Sequence, residues 1–281
     1  PRQSPLRLAK DYRLEPLQIR RMLGKRYEFF SLTPSRQASL ISNAVSQFCA
    51  TNARHPAPRH LDLPDWLHPD DAEQVREHLF PIVEQRWIDA LDPRHRAGIS
   101  HEIYLKRWAL SDPIIPVDYI LFDEAQDSDP LMLGILLQQK RAQVIYVGDP
   151  HQQIYQWRGA VNAMQKLPLA ETRLTQSFRF GEEVADLANV FLRELGETTP
   201  LHGTPSQKSR LDLTPIMRKK DAVLCRTNAR AMSLLMAGVV QGDKVALQAD
   251  SDRLLKFVDA ASALRTGKKV FDVPELAWFS N

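Results

Sequence analysis

Cysteine is nearly absent from this chain. Cys49 and Cys225 stand far apart, with no CxxC pair and no Cys/His cluster beside either, so neither a disulfide framework nor a zinc site is indicated and a reducing, cytoplasmic setting fits. No apolar run reaches the roughly 18 residues of a membrane span, and the opening PRQSPLRLAK lacks the apolar stretch of a secretory leader. Opening on Pro1, the chain reads as a piece of a longer one. Internal repeats and low-complexity tracts are also missing. The phosphate-cradling pattern G-x-x-x-x-G-K-[ST] does not occur. Its nearest approach, LGKRYE at 23–28, has Arg26 where Ser or Thr belongs and Ile19 where the first glycine belongs, and it sits in a basic stretch that reads as helical.

The composition that remains is that of a globular protein: 43% apolar and 25% charged residues across 281 positions, enough for one large core or two smaller ones and inconsistent with disorder as the default. A net charge of +3 is too small to require a polyanionic partner. Its distribution is uneven, because Arg2, Arg7, Lys10, Arg13, Arg20, Arg21, Lys25 and Arg26 face only Asp11, Glu15 and Glu28 in the first thirty residues. Such a segment can neutralise phosphates; it is equally a solvated basic helix face.

Residues 1–110 read as helices separated by proline loops. SRQASLISNAVSQFCA places Leu40, Ile41, Ala44, Val45 and Phe48 at helical spacing, DDAEQVREHLFPIVEQRWIDAL starts with acids and carries a kink or break at Pro81, and HEIYLKRWAL adds a third helix. The pattern then changes. VDYILF and AQVIYVGD are short apolar runs, each followed by a helical stretch, DPLMLGILLQQ and AVNAMQKL; ETRLTQS with FGEEVADLANVFLREL and DAVLCRTN with its following helix continue the alternation. Alternation of this kind implies an α/β fold with parallel strands buried between helices.

ILFDEAQD at 120–127 ends an apolar strand on two adjacent carboxylates, Asp123 and Glu124. In a parallel sheet, ligands sit beyond the carboxyl ends of the strands, and a carboxylate pair there can hold Mg²⁺ and accept a proton from an attacking water. Taken alone, the pair also suits the start of a loop or a helix cap. It is not alone: VGDPHQQIYQWRGA (147–160) and LTQSFRFG (174–181) leave the next two strand ends, so three polar stretches can converge on one crevice. Tyr155 and Trp157, two apart, share a side in extended chain. Together with Arg158 they can stack on bases and meet phosphates of single-stranded DNA, although Trp157 would also serve as packing between domains.

These three stretches resemble motifs II, III and IV of the UvrD/Rep group of superfamily 1 DNA helicases, and most of all the F-box DNA helicase branch and its bacterial relatives; HEIYLKRWALSDP resembles that branch too. The resemblance covers roughly residues 95–230, while residues 1–95 match only in general character and position. It implies partial RecA-like (P-loop NTPase) motor domains built on a parallel sheet, with an N-terminal helical insertion: a 1B-like insertion at 1–110, the latter part of domain 1A at 111–168, the beginning of 2A at 169–250 and the start of a 2B insertion at 251–281. By the same resemblance Asp123 holds Mg²⁺, Glu124 activates water, Gln152 senses the γ-phosphate of ATP, Arg179 reaches that phosphate from the second motor domain, and Phe178 stacks on adenine where the family often has Tyr. Tyr155, Trp157 and Arg158 match the residues that grip single-stranded DNA.

The implied activity is ATP-dependent 3′–5′ translocation on single-stranded DNA and unwinding at single-strand/double-strand junctions. Without a phosphate loop, and without motifs V and VI after residue 230, the chain by itself is expected not to hydrolyse ATP. A naturally shortened, inactive helicase-like subunit that binds DNA or regulates a complete helicase is the alternative. A GTPase or kinase is disfavoured, since neither has DEAQD followed by GDPHQQIY. A sheet without a phosphate-loop strand is also expected to expose apolar edges.

Overall fold

The computed structural model describes residues 4–23, 26–65, 67–92, 94–95, 99–156, 159–212, 222–248, 251–268, 270, 273 and 276. The chain divides into two compact units, Pro1–Pro168 with Lys256–Asn281, and Leu169–Leu255.

The first unit starts with helix α1 (Pro5–Asp11) and an antiparallel hairpin of β1 (Leu17–Leu23) and β2 (Arg26–Leu32), in register from Leu17 opposite Leu32 to Leu23 opposite Arg26. The basic segment is therefore strand rather than helix at Leu17–Leu23 and again at Arg26–Leu32. Alternation explains the difference: Ile19 on one strand and Phe30 and Leu32 on the other are buried, a period of two that the helical reading overlooked. Three tethers fix the hairpin. Gln37 Nε2 donates to Glu15 O and Leu32 O, the Arg20 guanidinium pairs with Asp71 at 2.7 Å, and the Arg20 backbone N–H donates to the same carboxylate. The guanidinium holds the Asp71 carboxyl below the usual carboxylate range.

Helices α2 (Pro34–Cys49) and α3 (Pro69–Leu91) build the main core. On α2 the residues picked out by helical spacing, Leu40, Ile41, Ala44, Val45 and Phe48, are all buried, with Ala38 and Cys49 beside them; on α3 the buried apolar residues are Val75, Leu79, Val83, Trp87 and Ala90, one stripe along the helix. Pro81 neither breaks nor divides α3; it lies on the exposed side of the helix, where the missing N–H and the displaced carbonyl can meet water. Phe48 packs edge-on against Trp87, with ring centroids 4.9 Å apart.

Helix α4 (His101–Ala109) joins this core to the α/β part. Its fully buried Lys106 donates to Thr51 O and Ala53 O, both at 2.6 Å, with its Nζ 4.4 Å from the Phe48 ring centroid. Helix α5 (Pro130–Leu137) leans on the same loop, Leu131 N donating to Ala50 O. Buried Gln139 takes Ile115 N–H and donates to Pro113 O, fixing the approach to the next strand.

Strands β3 (Tyr119–Phe122) and β4 (Gln143–Tyr146) pair in parallel, as the alternation of strands and helices implies. Helices and strands share the unit in an α/β arrangement, but the strands are not buried on both faces: Tyr119, Leu121 and Ile145 are exposed while Phe122 and Tyr146 pack edge to face at 6.2 Å. With only two strands described in this sheet and a core on one side, the apolar residues of the other face meet solvent.

In the second unit, helices α7 (Glu182–Glu194) and α8 (Asn228–Val240) form where expected, whereas ETRLTQS and residues 222–228 of DAVLCRTN form no strand. Among the described residues, a bridge between Gln176 and His202 is what pairs there. The stretch AVNAMQKL in the first unit shortens to one turn, α6 (Ala163–Lys166), and α9 spans Ser251–Arg265.

Candidate nucleotide and nucleic-acid site

The site grows out of the carboxyl ends of β3 and β4. Beyond the strands the pairing continues, with Val147 N donating to Phe122 O and Ala125 N to Val147 O at 2.8 and 2.9 Å, so the two exits stay zipped together. Between them Asp123 and Glu124 are exposed. Glu124 adopts φ 54°, a left-handed conformation that a residue with a Cβ adopts only where its surroundings enforce it. Here the Glu124 N–H donates to Asp123 Oδ1 at 3.0 Å, and the turn sends the chain into a 3-10 turn at Ala125–Asp127.

Gln126, in that turn, is only 1% exposed. Its Nε2 donates to Glu124 Oε2, its Oε1 accepts Asp149 N–H at 3.1 Å, and its backbone carbonyl accepts Gln153 Nε2 at 3.0 Å. Gly148 makes this closeness possible: a Cβ there would lie 2.3 Å from Gln126 Oε1 and 3.1 Å from Ala125 N. Asp149 in turn caps the 3-10 turn Pro150–Gln152, taking His151 N–H at 2.9 Å and Gln152 Nε2 at 2.7 Å. Glu124, Gln126, Asp149 and Gln152 thus form one hydrogen-bonded chain linking the two strand exits.

The neighbouring Asp127 turns the other way. Its Oδ1 accepts the backbone N–H groups of both Ile154 and Tyr155, at 3.0 and 3.1 Å, and Tyr155 is 40% exposed. Asn162 Nδ2 closes the loop onto Pro150 O, and Val161 N donates to Ser128 O.

Of the sequence-predicted residues, Asp123, Glu124, Gln152 and Tyr155 lie on these linked loops. Trp157 and Arg158 are outside the described residues. Phe178 and Arg179 belong to the second unit, where Phe178 is 81% exposed, Arg179 N donates to Ser177 Oγ and Arg179 O accepts Gln207 Nε2. The sequence reading gave no role to Gln126, Asp127 or Gly148. A glycine directly after an apolar strand and before an aspartate is a signal of close backbone approach; Gln126 and Asp127 stand within DEAQD, polar residues next to the carboxylate pair.

The donor set at Asp123 suits a hard cation. One carboxylate oxygen takes the Glu124 amide, and the side chain is exposed, so a cation has access to it. Among the described residues no group of three or more His, Cys, Asp or Glu is placed to cage an ion. Mg²⁺ needs no such cage, since it uses one or two carboxylates and fills its shell with water and phosphate oxygens. For ATP the fit is partial: the residues that could sense and polarise phosphate are present, and the sequence contains no glycine-rich loop to grip it.

Residues 90–167 match the UvrD/REP helicase N-terminal domain, a stretch that includes β3, α5, β4 and both 3-10 turns of the site. The chain is 48% identical over 158 residues to F-box DNA helicase protein 1 of Schizosaccharomyces pombe, covering 53% of this chain and 17% of that protein. It is 49% identical over 96 residues to F-box DNA helicase 1 of Gallus gallus, 34% of this chain and 9% of that protein. A putative ATP-dependent DNA helicase of Acanthamoeba polyphaga mimivirus is 30% identical over 92 residues, 31% of this chain and 13% of that protein. The alignments therefore span less than a fifth of each of these relatives.

Proposed function

We propose that this chain, which carries a UvrD-like superfamily 1 helicase segment, is the water-activating and DNA-gripping portion of an ATP-dependent 3′–5′ DNA helicase. The observation that carries the reading is the hydrogen-bonded chain from Glu124 through Gln126 and Asp149 to Gln152, one turn away from the Tyr155 loop. A carboxylate and an amide held on adjoining strand exits can serve the two sides of one reaction. Glu124 Oε1 or Oε2 takes a proton from the attacking water. The Gln152 amide, both donor and acceptor, bridges water and terminal phosphate once it leaves Asp149.

Mg²⁺ bound at Asp123 would neutralise charge on the phosphates. Arg179, with its permanent charge and forked donors, matches the negative charge that develops on the transferred group, and the exposed Phe178 ring offers a face to adenine. Tyr155, with Trp157 and Arg158, stacks on bases and meets the backbone of single-stranded DNA, extending to junctions with duplex.

Without a phosphate loop in its sequence, the chain alone binds single-stranded DNA in a salt-sensitive manner and releases no phosphate from ATP. Fluorescence anisotropy with a labelled oligothymidine tests the first half: Trp157→Ala and Tyr155→Ala should each weaken binding roughly tenfold, and unchanged affinity in both removes the DNA platform. Placed in a polypeptide that also carries a phosphate loop, Glu124→Gln should abolish turnover while retaining ATP binding. Normal turnover there removes Glu124 from its role.

A further inference from the structure

We infer that Asp127 is a positioning residue for the base-stacking loop, acting through the backbone of Ile154 and Tyr155 rather than by touching DNA. The inference rests on reading Tyr155 as a base-stacking residue and goes beyond it, because nothing in that reading requires an acid at 127. The geometry is specific. A single carboxylate oxygen, Oδ1, accepts two consecutive amides, Ile154 N at 3.0 Å and Tyr155 N at 3.1 Å, 27 and 28 positions along the sequence. Between Gln153 and Tyr155 the chain is in no regular element; Tyr155 O accepts Ala160 N–H at 3.3 Å, and the two Asp127 bonds hold the amide side that a ladder would otherwise fix.

The same short turn carries both attachments. Gln126 ties it to Asp149 and Glu124, and Asp127 ties it to Tyr155. A displacement of the Ala125–Asp127 turn therefore moves the water-activating carboxylate and the stacking ring together, whichever ligand causes it. The acid also stands in the wrong place for direct DNA contact: a carboxylate next to a DNA-binding tyrosine repels phosphate. Electrostatics and positioning accordingly predict opposite signs when the charge is removed.

The test is oligothymidine binding by the chain at fixed salt. Asp127→Asn keeps an acceptor oxygen at the same reach and loses the charge; it should bind at least as tightly as the parent. Asp127→Ala loses the acceptor as well and should bind roughly tenfold more weakly, a loss comparable to that of Tyr155→Ala. Combining Asp127→Ala with Tyr155→Ala should add little to either. Amide hydrogen exchange of Ile154 and Tyr155 should be faster in the alanine variant and near parental in the asparagine variant, a readout that general loss of stability would not confine to two amides.

Should the alanine variant fail to fold, Asp127→Ser takes its place, since a hydroxyl cannot reach as a carboxylate does; weaker binding supports positioning and equal or tighter binding overturns it. Tighter binding by Asp127→Ala, the outcome of pure charge removal, overturns the inference. So does an asparagine variant as weak as the alanine one. If Asp127→Ala and Tyr155→Ala both bind like the parent, the DNA-platform reading itself fails; if only Tyr155→Ala weakens binding, that reading stands and the role of Asp127 falls.

Discussion

Residues 5–110 and residues 169–255 handle their apolar side chains in opposite ways. In the first stretch, side chains from α1, the hairpin, α2, α3 and α4 close into a single buried cluster running from Leu8 to Ile103. In the second, Ala185 is the only buried apolar side chain among the described residues, while Val190 and Phe191 of α7 and Leu195 just after it stay exposed. The first stretch contains no recognisable chemical motif, and the second contains Phe178 and Arg179. Recognisable chemistry and self-sufficient packing are thus separable within one chain. The β3–β4 segment lies between these extremes, with one face packed and the other open.

The sharpest way to break that comparison is at Phe48, which is fully buried and touches Trp87, His60 and Lys106. Phe48→Ala should destabilise the first unit by about 3–5 kcal/mol, read as a lower urea midpoint monitored through Trp87. A loss under about 1 kcal/mol would mean that the helical region does not depend on its core.

Next in size is Gly148→Ala. The new Cβ would fall 2.3 Å from Gln126 Oε1, so either Gln126 leaves its partners or the strand exit shifts. Overpacking of this kind costs about 1–3 kcal/mol, and here it should also detach Glu124 from Gln126. In a polypeptide competent for ATP hydrolysis, kcat should fall more than ATP affinity. Equal effects on both would place the damage in general packing.

Lys106 gives a pH signature to the junction between helical and α/β parts. Burial pushes its ammonium down to about 8 from 10.5, and burial pushes the neighbouring Cys49 thiol up to about 12 from 9.0. From pH 8 upward the unfolded chain holds more protons on Lys106 than the folded chain does, so stability rises with pH. Above pH 9.0 the unfolded Cys49 thiol ionises while the buried one does not, which works in the opposite direction. Urea unfolding should therefore show stability climbing between pH 8 and 9 and then levelling. Lys106→Met removes the climb, and Cys49→Ala extends it toward 10.5. A parent protein whose stability falls steadily from pH 8 would exclude a depressed Lys106.

How much of this could be read in advance follows the same division. The buried stripes of α2 and α3 and the parallel pair β3–β4 were legible, because helical spacing at Leu40–Phe48 and the apolar run ending at Phe122 are local signals. The hairpin was not, since its strands alternate through basic residues and the carboxylate that anchors it, Asp71, is distant in sequence. The strands expected at ETRLTQS and at residues 222–228 failed because β propensity needs a neighbouring strand to pair with, and only Gln176 and His202 meet. At the site, the position of Asp123 and Glu124 beyond a strand end was legible; the links through Gln126 and Asp127 join side chains and backbone amides of separate loops, which sequence pattern does not reveal.

The smallest expected effect tests the other side of the comparison. Phe191 is 63% exposed on α7, so truncating it removes few packed contacts, and Phe191→Ala should change stability by no more than about 0.5 kcal/mol. The measurement is again urea unfolding, followed by limited proteolysis so that opening of the second unit alone is detected. Exposure in the folded chain is the reason for the small value, since a side chain already in water loses little burial when shortened. A loss above about 2 kcal/mol, near that of a core residue, would mean that the apolar face of α7 is covered in solution. The contrast between a self-packed helical region and an open motif-bearing one would then disappear.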